Sequence, residues 1–410
     1  MKQSNKQSII AVALITAICL AGDSMLYIVL PTHWKEVGLT SLVQVGVLLS
    51  INRFVRLPLT PLIGYIYKKV NFRFGLLIAV VLSGVTTISY GYVEDFSIWV
   101  ILRSVWGLSW SLFKLGAYLL ILQISSDANR GNFMGTYNGL YRLGSLFGML
   151  LGGLFADLFG MRIISLFIGI FAFLSIPFLF KYIPLTIQTK EQEKMKPSFF
   201  TNIKVFQNRR LIRIFVTAFL LIMFLDGMLT ATLSHIIEVK FTNKINMFGI
   251  ILGAATLAGG IQAVRWGIAP FIVPKVGSIL DKVKQKNRIL AIFLACASIM
   301  LFVIPLNVPL MLWLPLLLIH VLIASVLTMI MDAFIGDYAS EVTNKILIMT
   351  VFTIIVDLGA ALGPITGFTL EQKLGLTNLF WFASVVCFFL LILWVLPRNE
   401  RKKQNMLHHM

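Results

Sequence analysis

Among the charged side chains inside long apolar runs are Asp23, Asp226, Asp357, Arg53, Arg142 and Arg265. Counted at about 1.5 Å per residue, Asp23 and Asp226 sit roughly fourteen residues into their helices, and Arg142 and Asp357 roughly eleven. Arg53 and Arg265 sit roughly eleven or twelve residues from Gly64 and Gly277, the glycines near the ends of theirs. All six therefore fall near the middle of a membrane-sized helix, where a charge costs about 3 to 10 kcal/mol unless it is paired or faces water. Six at one depth imply a polar central cavity. A carboxylate withdrawn from water can take up and release a proton near neutral pH, which makes Asp23 and Asp226 the first candidates for proton carriers. Arginine forks hold carboxylates and phosphates. The competing reading for each residue is a fixed ion pair that only joins helices.

Other chemistries find no residues to carry them. Cys19, Cys296 and Cys387 are scattered through apolar segments, with neither a disulfide framework nor metal-ligand spacing. No G-x-x-x-x-G-K-[ST] loop is present, so an ion gradient and not ATP is the expected driving force. The adjacent histidines His408 and His409 lie in a terminal tail, and no acid, His or Ser cluster suggests an enzyme. No catalytic residue, cofactor or metal is expected. His33 and His235 fall at helix ends. His320 is the one histidine placed to titrate in a cavity, with a satisfied core position as the alternative.

The elements that must position the charges are membrane spans. Of the 410 residues, 58% are hydrophobic and 13% charged, and the mean hydropathy is +0.89, far from the soluble range. Apolar segments of spanning length fall near 9–31, 41–66, 74–93, 97–124, 131–157, 162–182, 211–234, 246–274, 287–306, 310–334, 345–370 and 376–396. The net charge of +18 does not point to nucleic acid, because no soluble domain offers a basic face. It marks one side of the membrane instead. With the N-terminus inside, only Lys35, Arg162, Lys240, Lys244 and Lys373 fall on the outer side; Arg53, Arg56, Arg103, Lys114, Arg142 and Arg265 fall within spans, and the remaining Lys and Arg are cytoplasmic. Both termini are expected in the cytoplasm.

The chain is also internally repeated. Asp357, Gly359, Gly363 and Gly367 each follow Arg142, Gly144, Gly148 and Gly152 by 215 positions. Asp23, Met25 and Leu26 align with Asp226, Met228 and Leu229, and Arg53, Pro58, Pro61 and Gly64 align with Arg265, Pro270, Pro274 and Gly277 with one insertion. A polar stretch, Lys181 to Arg213, separates the sixth span from the seventh. The expected division is a six-helix bundle over 1–182, a cytoplasmic linker over 183–210 and a second six-helix bundle with a short tail over 211–410. Repeated halves are the mark of a rocking-bundle transporter. The glycines at intervals of four make close-approach ridges, expected to let the fifth span slide on the eighth and the eleventh on the second.

At these residues the chain resembles the major facilitator superfamily over its whole length. GSILDKVKQK (277–286) is similar to that family's G-x-x-x-D-[RK]-x-G-[RK]-[RK] loop, with Lys284 at the second glycine. The matching first-half loop, GYIYKKVNFR, has Lys68 at the aspartate position. ILRSVWGLSWS resembles the R-x-x-x-G signature through Arg103 and Gly107. The fifth span resembles the G-x-x-x-G-P-x-x-G-G signature of proton-coupled exporters, with Met149 in place of proline.

The resemblance implies twelve transmembrane helices in two pseudo-symmetric six-helix bundles around a central cavity: an all-α membrane protein. It implies a role for Arg103 in proton coupling, although Arg103 lies only about six residues from a helix end and could snorkel. It places Lys114 on a cavity-lining helix. Trp106 and Trp110, four apart on the fourth span, are candidates for an aromatic wall, with ordinary packing as the alternative. The resemblance sets Asp357 beside Arg53 or Arg56 as a latch, Asp281 near Arg130 as another, and Lys68 and Lys69 against Asp337 and Glu341 as a charge-exchanged third. The candidate substrate residues are Arg142, Arg265, Lys114, Trp106 and Trp110, with Arg142 and Arg265 forming the anion-binding side.

The expected function is secondary active transport in the cell membrane, by alternating access. The expected mode is proton-coupled export of a small anionic or zwitterionic organic solute, a drug or a metabolite, by a monomer. Uptake or exchange of an anion or organophosphate, and flipping of an amphiphile or lipid, use the same fold. A membrane-embedded enzyme or sensor would need the clustered chemistry that is missing.

Overall fold

The computed structural model describes residues 2–67, 69–126, 129–184, 208–241, 245–247, 249–283, 285–342 and 345–396, without the side chains of 2–4, 131, 247, 250, 281 and 346. Most of the expected linker, 185–207, lies outside the described residues. The first four spans are α1 (Lys2–His33), α2 (Leu42–Ile66), α3 (Phe72–Ser89) and α4 (Phe96–Ile124). Ser41, Asn71 and Asp95 start the last three by accepting a backbone N–H of the first turn.

The fifth helix, α5 (Arg130–Leu174), has 45 residues. At about 1.5 Å per residue it would be more than twice as long as the roughly 30 Å hydrocarbon core. It is two spans, broken at Gly160 (φ 79°, ψ 167°), a backbone conformation only glycine adopts without strain. The sixth span ends in α6 (Ile176–Tyr182). Among the described residues, eleven helices are long and apolar enough to cross a membrane, and the break at Gly160 makes them twelve spans.

The seventh span runs continuously through α7 (Arg209–Leu221), a π-helical segment Ile222–Met228 and α8 (Leu229–Phe241). The wide turn contains Asp226, and such bulges interrupt helices mostly at functional sites. The eighth span does not begin at 246 as its apolar pattern suggests. Two short strands form a hairpin, β1 (Ile245–Met247) against β2 (Ile250–Leu252), with Gly249 before the second at φ 83°. The span itself is α9 (Ala254–Lys282). The last four are α10 (Lys286–Val303), α11 (Leu310–Ser340), α12 (Lys345–Leu374) and α13 (Leu376–Val395).

Span ends gather on one face, the terminal face, with the start of α1 and the end of α13. Asn5 donates to Ile124 O, Ser8 to Tyr182 O, and Arg73 to Ile183 O and Phe180 O. In the last six spans, Arg210 pairs with Glu341 and Lys286 with Asp337. Contacts between the first six spans and the last six concentrate at the opposite end. There Gly46 of α2 meets Pro364 and Ile365 of α12, Ser50 Oγ accepts from Ile365 N, and Gly153 of α5 meets Ala255 of α9.

The glycine ridges do not run where their spacing suggests. Gly144, Gly148 and Gly152 lie on Ala17, Ala21 and Met25 of α1, and Gly359, Gly363 and Gly367 on Phe219, Gly227 and Met228 of the seventh span. The partners are therefore the first and seventh spans. The reason is on those spans: Ala17 and Ala21 are themselves small and four apart, so two flat stripes meet. A methyl group at Gly144 would overlap the Ala17 carbonyl, whereas nothing lies within 4 Å of one at Gly139. Gly144→Ala should destabilise the purified protein by about 1–3 kcal/mol, seen as a lowered thermal midpoint, while Gly139→Ala leaves it unchanged.

Candidate functional site

The first spans bring Asp23 together with Arg103. Arg103 does not snorkel: its side chain is fully buried, Nη1 donates to Asp23 Oδ1 at 2.5 Å, and Nε donates to Leu48 O at 2.9 Å. Asn52 Nδ2 adds a second donor to the same Asp23 oxygen at 3.1 Å. Three spans are thus pinned around one carboxylate, and Asp23 keeps only 7% of its side chain exposed.

The repeat places Asp226 equivalently but pairs it differently. Asp226 Oδ1 accepts from Arg265 Nη2 at 2.7 Å, and Arg265 Nε donates to Ser325 Oγ at 2.9 Å. The buried tryptophans explain the difference. Trp99 and Trp313 stand at the same position in α4 and α11, each donating its indole N–H to a carbonyl just ahead of its helix. Four residues on, α4 offers Arg103 and α11 offers Leu317. With no charge on α11, Asp226 takes the arginine of α9. In the first half that arginine's counterpart, Arg53, is released and donates to Tyr27 Oη at 3.1 Å. Asp226, on its widened turn, stays 32% exposed.

Between the halves lies a cavity of about 670 Å³ lined at its depth by Asp23, Asp226, Arg53, Arg265 and Asp357, and toward the terminal face by Thr60, Lys114, Tyr118 and Thr350. Because the packed contacts close the other end, the cavity opens toward the termini. Asp23 and Asp226 are neutralised by their own arginines. The lining that remains carries Arg53, Arg56, Lys114 and Arg142 against Asp357.

Aromatic rings shape the first-half wall. The Arg56 guanidinium lies 5.3 Å from the Trp110 ring centroid and 5.4 Å from that of Trp106. Trp110 lines the cavity and meets Tyr141 edge-on at 5.6 Å. Trp106 is not part of the wall: it is buried behind Trp110, stacked on it at 5.9 Å.

The other expected residues are placed as follows. Among the described residues, Asp357 makes no ion pair within 4 Å to Arg53 or Arg56, although all three line the cavity. Arg142 is exposed to the cavity with its guanidinium 5.8 Å from the Trp266 ring. Arg265, paired with Asp226 and 4% exposed, is not available as the second half of an anion-binding side with Arg142. The spacing marked both as midplane cations but said nothing of Ser325 and Asp226 closing around one of them. Lys68 and the Asp281 side chain lie outside the described residues, and Lys69 lies 4.8 Å from the Tyr65 ring centroid. Asp337 and Glu341 are engaged within their own half by Lys286 and Arg210. His320 is fully buried and does not line the cavity. His235, near a helix end, has its Nε2 2.6 Å from Glu371 Oε1.

Four residues escape the sequence reading. Asp332 in α11 is an acid inside an apolar run, the signal that marks the others, and it lies within electrostatic reach of Arg142. Tyr27 stands one helical turn after Asp23, and Asn52 is the neighbour of Arg53; a polar group beside an intramembrane charge is the available clue. Asp157, at the end of the fifth span, gives no such sign.

A model of the Major Facilitator Superfamily matches residues 12–341. The multidrug resistance protein MdtG of Proteus mirabilis is 24% identical over 393 residues, covering 93% of this chain and 94% of that protein. The quinolone resistance protein NorA of Staphylococcus aureus is 24% identical over 243 residues, covering 58% of this chain and 60% of that protein. Among solved structures, an inward-facing bacterial homolog of the human lysosomal transporter Spinster superposes with a TM-score of 0.75 at 15% identity, over 96% of both chains. The nucleoside transporter NupG gives a TM-score of 0.71 at 12% identity, over 95% of this chain and 98% of that one.

Proposed function

The chain belongs to the Major Facilitator Superfamily, a family of transporters and not of enzymes, and from that premise we propose that it exports a small anionic or zwitterionic organic solute in exchange for protons. The observation that carries the reading is the charge left in the cavity: Arg53, Arg56, Lys114 and Arg142 face Asp357 once Asp23 and Asp226 are paired. Fixed cations in a low-dielectric cleft favour an anionic group, and the acid opposite favours a cationic one on the same molecule. The export direction is supported by the relatives named for multidrug and quinolone resistance. The positive-inside bias supports a cytoplasmic terminal face in the cell membrane, and in this reading the cavity is inward-open.

Asp226 is the proton carrier in this reading. It is the more exposed of the two repeated acids, and its π-helical turn leaves it room to move. A proton on Asp226 would break the pair that ties the seventh span to Arg265 of the eighth; loss of the proton restores it. Flux of a labelled metabolite panel in proteoliposomes, with and without a pH gradient, tests the proposal. In Asp226→Asn, gradient-driven flux should disappear while substrate exchange at equal pH persists. Undiminished gradient-driven flux in that variant removes Asp226 from the coupling, and flux indifferent to the gradient in the unaltered protein favours anion exchange.

A further inference from the structure

The end of the protein opposite the termini is held shut by packing, and also by one carboxylate that crosses between the halves. The eighth span begins after Gly253, which sits at the N-cap position and has no side chain to close the first turn. The second, third, fourth and seventh spans are capped by their own Ser41, Asn71, Asp95 and Asn208. For the eighth, the cap comes from the fifth span. Asp157 Oδ2 accepts from Thr256 N at 2.7 Å and from Thr256 Oγ1 at 2.6 Å.

The site is made for this carboxylate. Asp157 is 9% exposed, and a Cβ at residue 253 would collide with its carboxyl group. Close backbone approach on either side, Gly153 against Ala255 and Gly259 against Met149, holds the two spans in register. The His33 imidazole stands 3.9 Å from the other Asp157 oxygen. The second seam at this end, between α2 and α12, is different: Ser41 caps α2 in place, and the halves meet through Ser50 and Ile365.

We propose that Asp157 is the latch of this gate, a helix cap supplied in trans that must be given up each time the end opens. The inference rests on the alternating-access reading above. An ordinary cap stabilises the helix it belongs to whether the gate is open or shut. This one stabilises the eighth span only when the halves are together, so a local helix-capping interaction becomes a preference for the closed gate.

Spin labels at Thr40→Cys and Gln372→Cys, in a chain with Cys19, Cys296 and Cys387 replaced by alanine, report the separation of the two halves at this end. Both sites are exposed. Asp157→Ala should raise the population at long distance by roughly 2- to 30-fold, the size expected for a lost cap. Asp157→Ala with Gly253→Ser gives the eighth span a cap of its own, in space the missing carboxylate leaves. That pair should recover the thermal midpoint of the unaltered protein and still show the raised long-distance population. If Asp157→Ala leaves the populations unchanged, or if adding Gly253→Ser returns them to the original, the residue only caps a helix and the latch is wrong. If the unaltered protein shows one distance at every pH and with every transported solute, the alternating-access reading fails and the latch with it.

Discussion

Arg103→Gln should be the most damaging substitution in the cavity wall, costing about 3–5 kcal/mol of stability because it strands a buried carboxylate. Asp23 has two donors, Arg103 and Asn52, and glutamine cannot replace the charge of the first. The Leu48 carbonyl on α2 would also lose its bond to Arg103 Nε, so the contact of α4 with α2 loosens as well. Arg103→Gln combined with Asp23→Asn should recover most of the stability, since removing both charges removes the desolvation problem along with the pair. Transport should remain absent in the double variant if the pair takes part in coupling. Thermal midpoints of the single and double variants, with flux measured in proteoliposomes, separate the two roles. A double variant that folds and transports normally would make this a fixed strut. The same exchange in the second half should be milder. Asp226 is partly exposed, so Arg265→Gln leaves it a carboxylate that water can reach.

How much of this could be read from the chain follows from what periodicity encodes. The twelve spans, their order and the repeat were legible because hydrophobic length and recurring Gly, Asp and Arg positions are local properties. The break at Gly160 fell where the apolar run pauses between the expected fifth and sixth spans. The start of the eighth span was not legible, since INMFGIIL is as apolar as a helix and only Gly249 and Gly253 hint at a hairpin. The ridge partners were missed because a glycine stripe states that something comes close, and not what. Ala17 and Ala21 answered that from another helix.

The site was legible in its charges and illegible in its pairing. Asp23 and Asp226 are equivalent in sequence, yet one meets α4 and the other α9, and the cause is a residue of a third helix, Arg103 in one half and Leu317 in the other. A side chain's partner depends on three helices at once. Composition cannot supply that, and a repeat misleads when one copy has lost a member. Arg265 shows the consequence: counted as a free cation, it looks like half of an anion site, and paired with Asp226 it is not.

With Arg265 engaged, affinity for an anionic solute should fall on Arg56 and Lys114. The Arg56 guanidinium lies 5.3 Å from the Trp110 centroid and 5.4 Å from that of Trp106, contacts that limit where it can point, and Arg56 lines the cavity. Lys114 lies one turn further along α4 from Trp110. A planar carboxylated solute could rest on the Trp110 and Tyr141 rings with its acid between the two cations. Each charge-assisted hydrogen bond lost is worth about 1.5–3 kcal/mol, roughly a 10- to 150-fold loss of affinity. Arg56→Gln and Lys114→Gln should each weaken binding by that much and leave the pH dependence of transport unchanged. Arg265→Gln should do the reverse, shifting the pH dependence through Asp226 with a smaller effect on affinity. Equilibrium binding of the solute identified by the flux panel, measured at several pH values for all three variants, decides it. Full affinity in Arg56→Gln and Lys114→Gln, with a large loss in Arg265→Gln, would return the anion to the second-half wall and leave the first-half cations as structural counter-charges to Asp357.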